Sequence, residues 1–418
     1  MTHGSAQTWL HRYAVLTAAA TLALVGIGGV VTSRGVGMAV PDWPTTYGYN
    51  MFFFPFSKWV GGIFYEHSHR LVASIVGVLV VGLTRWLGGR PSRLPLALIG
   101  LGEVLGGLAL LRLGPAWQGA GHFLSGIGGV VLLGAAVWAR NEPAATPLPL
   151  LGWLAFWGVQ IQGLLGGLRV VLYKDQLGIF HATLAQVFFV LMCALALITS
   201  RWWQSQRSSD SGFMGVAGNS ALERPEARRG LDYVLFATTF LILAQLILGA
   251  AMRHQHAGLA IPDFPLAYGK VWPAMDAASV AFYNQQRLEV TAVNPITAGQ
   301  IALQMAHRLL AGAIMGAVAV WAWRVRRQLA PGNPLGKMAV FWLGLILIQV
   351  LLGAATIWSK KAADIATAHV LVGALSLAVG ALQCLIWLRQ ADESVSPAHH
   401  QPCPHPSPII HHPSPQLP

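Results

Sequence analysis

Ten apolar runs punctuate this chain, near residues 13–33, 64–88, 95–111, 120–139, 148–168, 178–200, 231–252, 300–323, 335–357 and 365–388. A helix rises about 1.5 Å per residue, so about 20 apolar residues cross the roughly 30 Å hydrocarbon core of a bilayer, and most of these runs are that long. With 418 residues, 55% hydrophobic and 10% charged, the chain holds more apolar surface than a single soluble core buries. The predicted fold class is therefore an all-α integral membrane protein of about ten transmembrane helices. The first run leads into no small-residue cleavage site and reads as a span, not a removable signal peptide.

A net charge of +12 would suit nucleic acid in a soluble protein, but here the cations lie between spans, where their distribution reports orientation. A cytoplasmic N-terminus collects Arg85, Arg90, Arg93, Arg140, Arg201, Arg324, Arg326 and Arg327 on the inner side. Fewer, among them Arg34, Arg112, Arg169, Arg253, Lys360 and Lys361, then lie outside. The expected placement is multi-pass in the cell inner (plasma) membrane, both termini cytoplasmic, with the bilayer and not nucleic acid as surroundings. Cys193 and Cys384 sit in separate spans and Cys403 in the tail, so no disulfide framework is indicated.

Internal repetition sets the architecture. Met38–Gly48 (MAVPDWPTTYG) and Leu259–Gly269 (LAIPDFPLAYG) are identical at six of eleven positions. Each follows a span running in the same direction, so the halves, 1–200 and 231–390, are parallel repeats about an axis along the membrane normal. A nested hairpin recurs as Gln162–Gly167 before His181 and Gln349–Ala354 before His369. A third copy, Glu103–Gly107 before His122, marks 94–142 as an extra hairpin inserted in the first of two pseudo-symmetric four-helix-bundle halves. Residues 201–230 read as a cytoplasmic linker. From 391 to 418 the chain is rich in Pro and His and is expected to be disordered.

Glu66-His67-Ser68-His69-Arg70 opens one span and Gln304-Met305-Ala306-His307-Arg308 another; His181 and His369 open two more. Ionisable groups in apolar helices are costly, and four imidazoles at matched repeat positions and one depth, near the outer face, point to two metal centres. A heme held between two imidazoles satisfies that pattern, with His69 and His181 as one pair and His307 and His369 as the other. Arg70 and Arg308 beside the ligands suit heme propionates, with snorkelling to the interface as the alternative. Glu66 in one half against Gln304 in the other suggests one reactive heme site and one electron-transfer site; pairing of Glu66 with Arg70 is its structural alternative. The Pro-Asp-Trp-Pro and Pro-Asp-Phe-Pro loops read as lids or as interfacial anchors. His122 reads as a relic of duplication, and His254 and His256 as exposed loop residues.

The Glu-x-x-His-Arg motif, the Pro-Asp-Trp-Pro loop, the Gln-Gly-x-x-Gly-Gly hairpin before His181 and their C-terminal echoes resemble heme A synthase. The resemblance covers the chain apart from the inserted hairpin, the linker and the tail, and it corresponds to the members without cysteines in their outer loops. It implies oxidation of a pyrrole methyl of heme O, a farnesylated heme, to the formyl group of heme A for cytochrome oxidase. On that resemblance His69 and His181 hold the heme O substrate and heme A product, His307 and His369 ligate heme B, and Glu66 assists the oxidation. It also implies dealings with heme O synthase, with cytochrome oxidase assembly factors and with an electron partner the sequence does not name; a homo-oligomer is compatible with it. Members usually have eight spans, against ten here. A diheme membrane cytochrome b exchanging electrons with quinol uses the same histidines, yet has no use for the Glu66/Gln304 difference. A transporter of parallel repeats would carry its charges near the midplane.

Overall fold

The computed structural model describes residues 3–137, 148–208, 225–287, 295–329 and 332–395. Its helices are α1 (His3–Ser33), α2 (Gly61–Gly88), α3 (Arg93–Arg112), α4 (Gln118–Ala136), α5 (Leu148–Leu172), α6 (Asp175–Ile198), α7 (Arg201–Ser208), α8 (Pro225–His254), α9 (Ala277–Gln286), α10 (Ala298–Gln328), α11 (Pro334–Trp358) and α12 (Ala363–Val395). Ten of them are long and apolar enough to cross a membrane, all but the short α7 and α9. The all-α membrane class is thereby met; the strands among the described residues are the pair β1 (Thr45–Thr46) and β2 (Tyr49–Asn50).

Local chemistry fixes several starts. Thr297 and Gln300 form a reciprocal capping box at the head of α10. Asn333 caps α11 with Pro334 in its first turn, where a missing N–H costs nothing. Between residues 200 and 231, α7 and the first turns of α8 are helical, while 209–224 of the expected linker lie outside the described residues. The expectation of disorder from 391 is corrected at its start, because α12 continues to Val395. Residues 396–418, with Cys403 and the tail histidines, lie outside the described residues, as do 138–142 of the inserted hairpin.

Helices α1, α2, α5 and α6 pack in a closed ring, each against its two neighbours, and α8, α10, α11 and α12 form a second ring in the same order. The rings meet where α12 lies against α1 and α6, and α6 against α8. Each ring is filled solidly at one end. Leu10, Leu83, Leu87, Leu148 and Leu195 pack one plug; Leu231, Trp321, Val325, Trp342 and Trp387 pack the other. The buried indoles are satisfied, Trp321 donating to Gln383 Oε1 (2.9 Å) and Trp342 to the Ser376 carbonyl (2.8 Å).

The α3–α4 hairpin stands outside the first ring. Its two helices approach at backbone distance: a Cβ on Gly100 would lie 2.8 Å from the Gly128 carbonyl, and one on Gly107 would lie 2.6 Å from that of Gly121. Leu96, Val131 and Ala135 then join Val81 of α2 and Phe156 of α5 in a small core of their own.

Candidate functional site

At the end of the rings opposite the plugs, helix packing gives way to one continuous cavity of about 1890 Å³ reaching into both rings. A pocket for one drug-sized ligand is commonly about 300–1,000 Å³, so this space suits two large groups. His69 (α2), His181 (α6), His307 (α10) and His369 (α12) all line it. In each ring the two imidazoles come from diagonally opposite helices, so they face the space at the ring centre. The rings of His307 and His369 lie 6.5 Å apart, centroid to centroid.

Every one of these imidazoles leans on a glycine of an adjacent helix. A Cβ would lie 3.0 Å from His69 Cε1 at Gly28, 3.1 Å from His181 Cε1 at Gly166, 3.5 Å from His307 Cε1 at Gly249, and 3.2 Å from His369 Cε1 at Gly353. The Nδ1 atoms of all four are buried without a hydrogen-bond partner. Three of the four helices are also tied at the histidine's backbone, since Gln162 donates to the His181 carbonyl (3.0 Å), Gln245 to that of His307 (2.9 Å) and Gln349 to that of His369 (2.9 Å). The Gly-rich motif was visible in the sequence as a recurring hairpin; its service to the imidazoles needs the neighbouring helix to be seen. Gly28 and Gly249 carry no motif that marks them.

The inserted hairpin differs. Gly106, in register with Gly166, faces Leu124 and not His122. His122 is exposed and still borders the cavity, but it has no such cradle.

Glu66 and Gln304 take matching positions. Val40 N–H donates to Glu66 Oε2 (2.8 Å), and Ile261 N–H to Gln304 Oε1 (2.7 Å). Each thus holds the backbone just before its Pro-Asp loop, while also lining the cavity. The other carboxylate oxygen of Glu66 receives Arg70 at 2.9 Å, so the ion pair weighed as the structural alternative is present. Arg70 also donates to the carbonyls of Asp42 (2.7 Å), Thr45 (2.9 Å) and Val40 (2.8 Å). Arg308 donates to those of Asp263 (2.7 Å) and Leu266 (2.9 Å). The structure places both guanidinium groups on the loops, a use that the propionate and snorkelling readings both missed.

The loops themselves are held by their aspartates. Asp42 accepts from the Tyr47 (2.7 Å) and Gly48 (2.9 Å) amides and from Thr45 Oγ1 (2.5 Å); Asp263 accepts from the Tyr268 (2.7 Å) and Gly269 (2.8 Å) amides. Burial alone would push the Asp42 carboxyl up, but the Gly48, Thr45 and Tyr47 donors outweigh it and hold the group below the ordinary carboxylate value. Gly48 and Gly269, at φ 77° and 72°, sit where a Cβ would be strained. Tyr47 donates its hydroxyl to the Ala39 carbonyl (2.6 Å), and Tyr268 does the same to Ala260. The Trp43 ring rests directly on Gly167 and meets Phe123 of the hairpin at 4.7 Å. Trp43, Pro44, Thr45 and Gly48 of the first loop and Phe264 of the second line the cavity, so both loops form part of its wall in the position of a lid, and Trp43 also makes a ring contact to the inserted element.

One further expectation is corrected. His254 is not a loop residue: it ends α8, packs on Gly178 of α6 and lines the cavity. His67, which shares the motif but not the site, is buried with Nδ1 3.1 Å from Thr46 Oγ1.

Cations gather where the rings meet. Arg169 (α5), Arg253 (α8) and Lys361 line the cavity together. Arg253 donates to the Gly29 carbonyl (2.8 Å) and to Ser33 Oγ, both on α1, so it ties the second ring to the first. The Lys361 ammonium, between α11 and α12, is held below its usual value by burial and then by Arg253. Three cations thus line this corner of the cavity, on α5, on α8 and between α11 and α12.

Residues 120–380 match the model of the COX15-CtaA family, cytochrome oxidase assembly protein. The chain belongs to this family. Over 393 aligned residues it is 24% identical to the heme A synthase of Brucella ovis, with 86% of each chain covered, and it matches that of Brucella abortus (strain S19) equally. A shorter match, 30% over 135 residues, links it to the heme A synthase of Brucella anthropi, covering 32% of this chain and 34% of that one. Family membership makes heme the group against which the COX15-CtaA cavity is to be judged.

Proposed function

We propose that this chain is a heme A synthase, oxidising a pyrrole methyl of heme O to the formyl group of heme A. One observation carries the reading: two diagonal imidazole pairs share one cavity, and their surroundings differ by a carboxylate, Glu66, against an amide, Gln304.

The residues fit heme. Among the described residues no three His, Cys, Asp or Glu side chains converge on a bare ion, whereas two imidazoles suffice for a metal that brings its own ring of four nitrogens. The 6.5 Å between the ring centroids of His307 and His369 leaves a gap between the two imidazoles that a metal could occupy. The cradling glycines fix the ring planes, and the orphaned nitrogens lack any protein partner that would explain their burial. Arg169, Arg253 and Lys361 offer cationic partners to the propionates, a role that Arg70 and Arg308, occupied by the lids, share at most indirectly.

On this reading the half 1–200 holds heme O and then heme A between His69 and His181, and the half 231–390 holds heme B between His307 and His369. Iron and porphyrin supply the redox chemistry when bound. The chain would orient the methyl beneath the loops, admit the water or dioxygen that supplies the formyl oxygen, and move protons: Glu66, fixed at both oxygens, would take up a proton released as the methyl carbon is oxidised, which the amide of Gln304 cannot do. The sites face the outer side of a plasma membrane, with both termini cytoplasmic. Substrate arrives from heme O synthase, product leaves toward cytochrome oxidase assembly factors, and an external partner takes the electrons.

A diheme cytochrome b would use the same four histidines, but the family match and the lone Glu66 weigh against it. Mass analysis of the hemes extracted from purified protein tests the proposal. Heme B together with heme O, a hydroxylated heme or heme A is the expected result; two equivalents of heme B alone would overturn it.

A further inference from the structure

The two imidazole sites are not equally roomy, and the difference lies on one side. Three glycines line the cavity of the first ring, Gly77 (α2), Gly126 (α4) and Gly163 (α5), and a Cβ on any of them would meet nothing within 4 Å. Gly in a helix interior costs about 1 kcal/mol relative to Ala and is usually repaid by close packing. Here nothing packs against them, unlike Gly100 or Gly107 in the same hairpin. In the register set by Glu66/Gln304 and Gln162/Gln349, Gly77 corresponds to Met315 and Gly163 to Val350, both cavity-lining, while α4 has no counterpart. The second ring keeps only Gly312 facing such space.

The inserted hairpin closes this side without filling it. It is clamped at one end by the cluster of Val81, Val131 and Phe156, and at the other by Phe123 against Trp43. Between the clamps, Ile127 and Val130 of α4, Val78 of α2 and Val159 of α5 all line the cavity. Ile75 and Val78, both about half exposed, line it as well. The polar atoms add a second mark. Gln186, 7% exposed, borders the same cavity with an amide oxygen that has no partner, and its counterpart in the second ring is Ala374.

We propose that the groove between α2, α4 and α5 seats a long aliphatic tail on the ligand held by His69 and His181, and that the inserted hairpin is its outer wall. This rests on the reading of that ligand as a farnesylated heme. The groove makes the first site select a tailed heme, while Met315 and Val350 leave the second to a heme without one.

The test uses the purified full chain, with heme O and tail-free heme B as probes. Gly77→Met with Gly163→Val copies the second ring into the first; Gly126→Leu fills the groove from the hairpin alone. Bound hemes are quantified by mass after extraction, with the visible spectrum of the His307/His369 heme reporting an intact fold. Both variants are expected to lose heme O affinity at the first site at least tenfold while binding heme B at either site as the parent does. Parent-like heme O binding in variants whose parent holds heme O overturns the groove and leaves the functional reading standing. A parent that binds heme O no better than heme B overturns both. Equal loss of heme O and heme B at the first site also overturns the groove, because it shows damage to the imidazole pair and not to a tail seat.

Discussion

The two rings present the same frame and different contents. Each has a pair of imidazoles on diagonal helices, a glycine behind every imidazole, and an arginine and an acidic or amide side chain holding a Pro-Asp lid. The first ring then departs: its lid side chain is a carboxylate, its helices carry glycines where the second has Met315 and Val350, and a hairpin stands against it. Duplication accounts for the frame and, on the proposed reading, divergence of function accounts for where the copies part. On that reading, what is shared would hold a flat metal-bearing group, and what differs would act on it or measure its size.

The sharpest way to break the comparison is to erase its chemical difference. Glu66→Gln keeps an acceptor for the Val40 amide, as Gln304 does for Ile261, so heme content should persist while conversion of heme O falls by about 100-fold or more, the usual scale of lost proton transfer. Unchanged conversion with both hemes bound would assign Glu66 to the lid alone.

The clasps come next. Arg70→Lys gives up a planar fork that serves three carbonyls and Glu66, and Arg308→Lys one that serves two carbonyls. At roughly 1.5–3 kcal/mol for a hydrogen bond to a charged group, the first substitution should lower the thermal midpoint, read by loss of heme absorbance, more than the second. Equal shifts would mean the extra bonds of Arg70 carry no weight.

The glycine cradles should be felt in both rings alike. Gly166→Ala and Gly353→Ala put a methyl at 3.1 and 3.2 Å from an imidazole carbon, which should displace the ligand by a few tenths of an ångström. Disturbing what orients a metal ligand commonly costs about 10–100-fold in affinity. A weakened heme and a changed Soret band are expected in each, and silence in either would show that its imidazole has no ligand to orient.

The smallest effect belongs to pH. The Asp42 carboxyl is held below its unfolded value, so its contribution is complete above the ordinary carboxylate range and lost only as the pH falls through the lowered folded value. Because Asp42 is partly exposed, less than about 1 kcal/mol should be at stake. Protection of the Tyr47 and Gly48 amides, corrected for the intrinsic pH dependence of exchange, should hold down to about pH 4 and fall below it; a fall nearer neutrality would contradict the lid geometry.

Much of this was legible in the sequence because hydropathy and repetition are properties of the chain itself. Ten apolar runs became ten long helices, and the four repeat histidines converged on one cavity. What escaped depends on which helices become neighbours. Gly28 resembles any membrane glycine until α1 lies against α2; Arg70 resembles a propionate ligand until the Val40–Thr45 backbone folds across it. His254 looked exposed because the span was taken to end two residues early, and α9 was missed because its ten residues, capped by Asp276, carry no periodic signal. The prolines of the lids were noticed, yet the aspartate between them does the holding.

The central claim, that the two rings hold different hemes, is tested most directly by removing one pair at a time and weighing what remains. Full-length protein carrying His69→Ala and His181→Ala should retain heme B and lose the farnesylated hemes, and protein carrying His307→Ala and His369→Ala should show the reverse, by mass of the extracted hemes. If both variants lost the same heme species in the same proportion, the rings would be equivalent and the division of labour between them would be wrong.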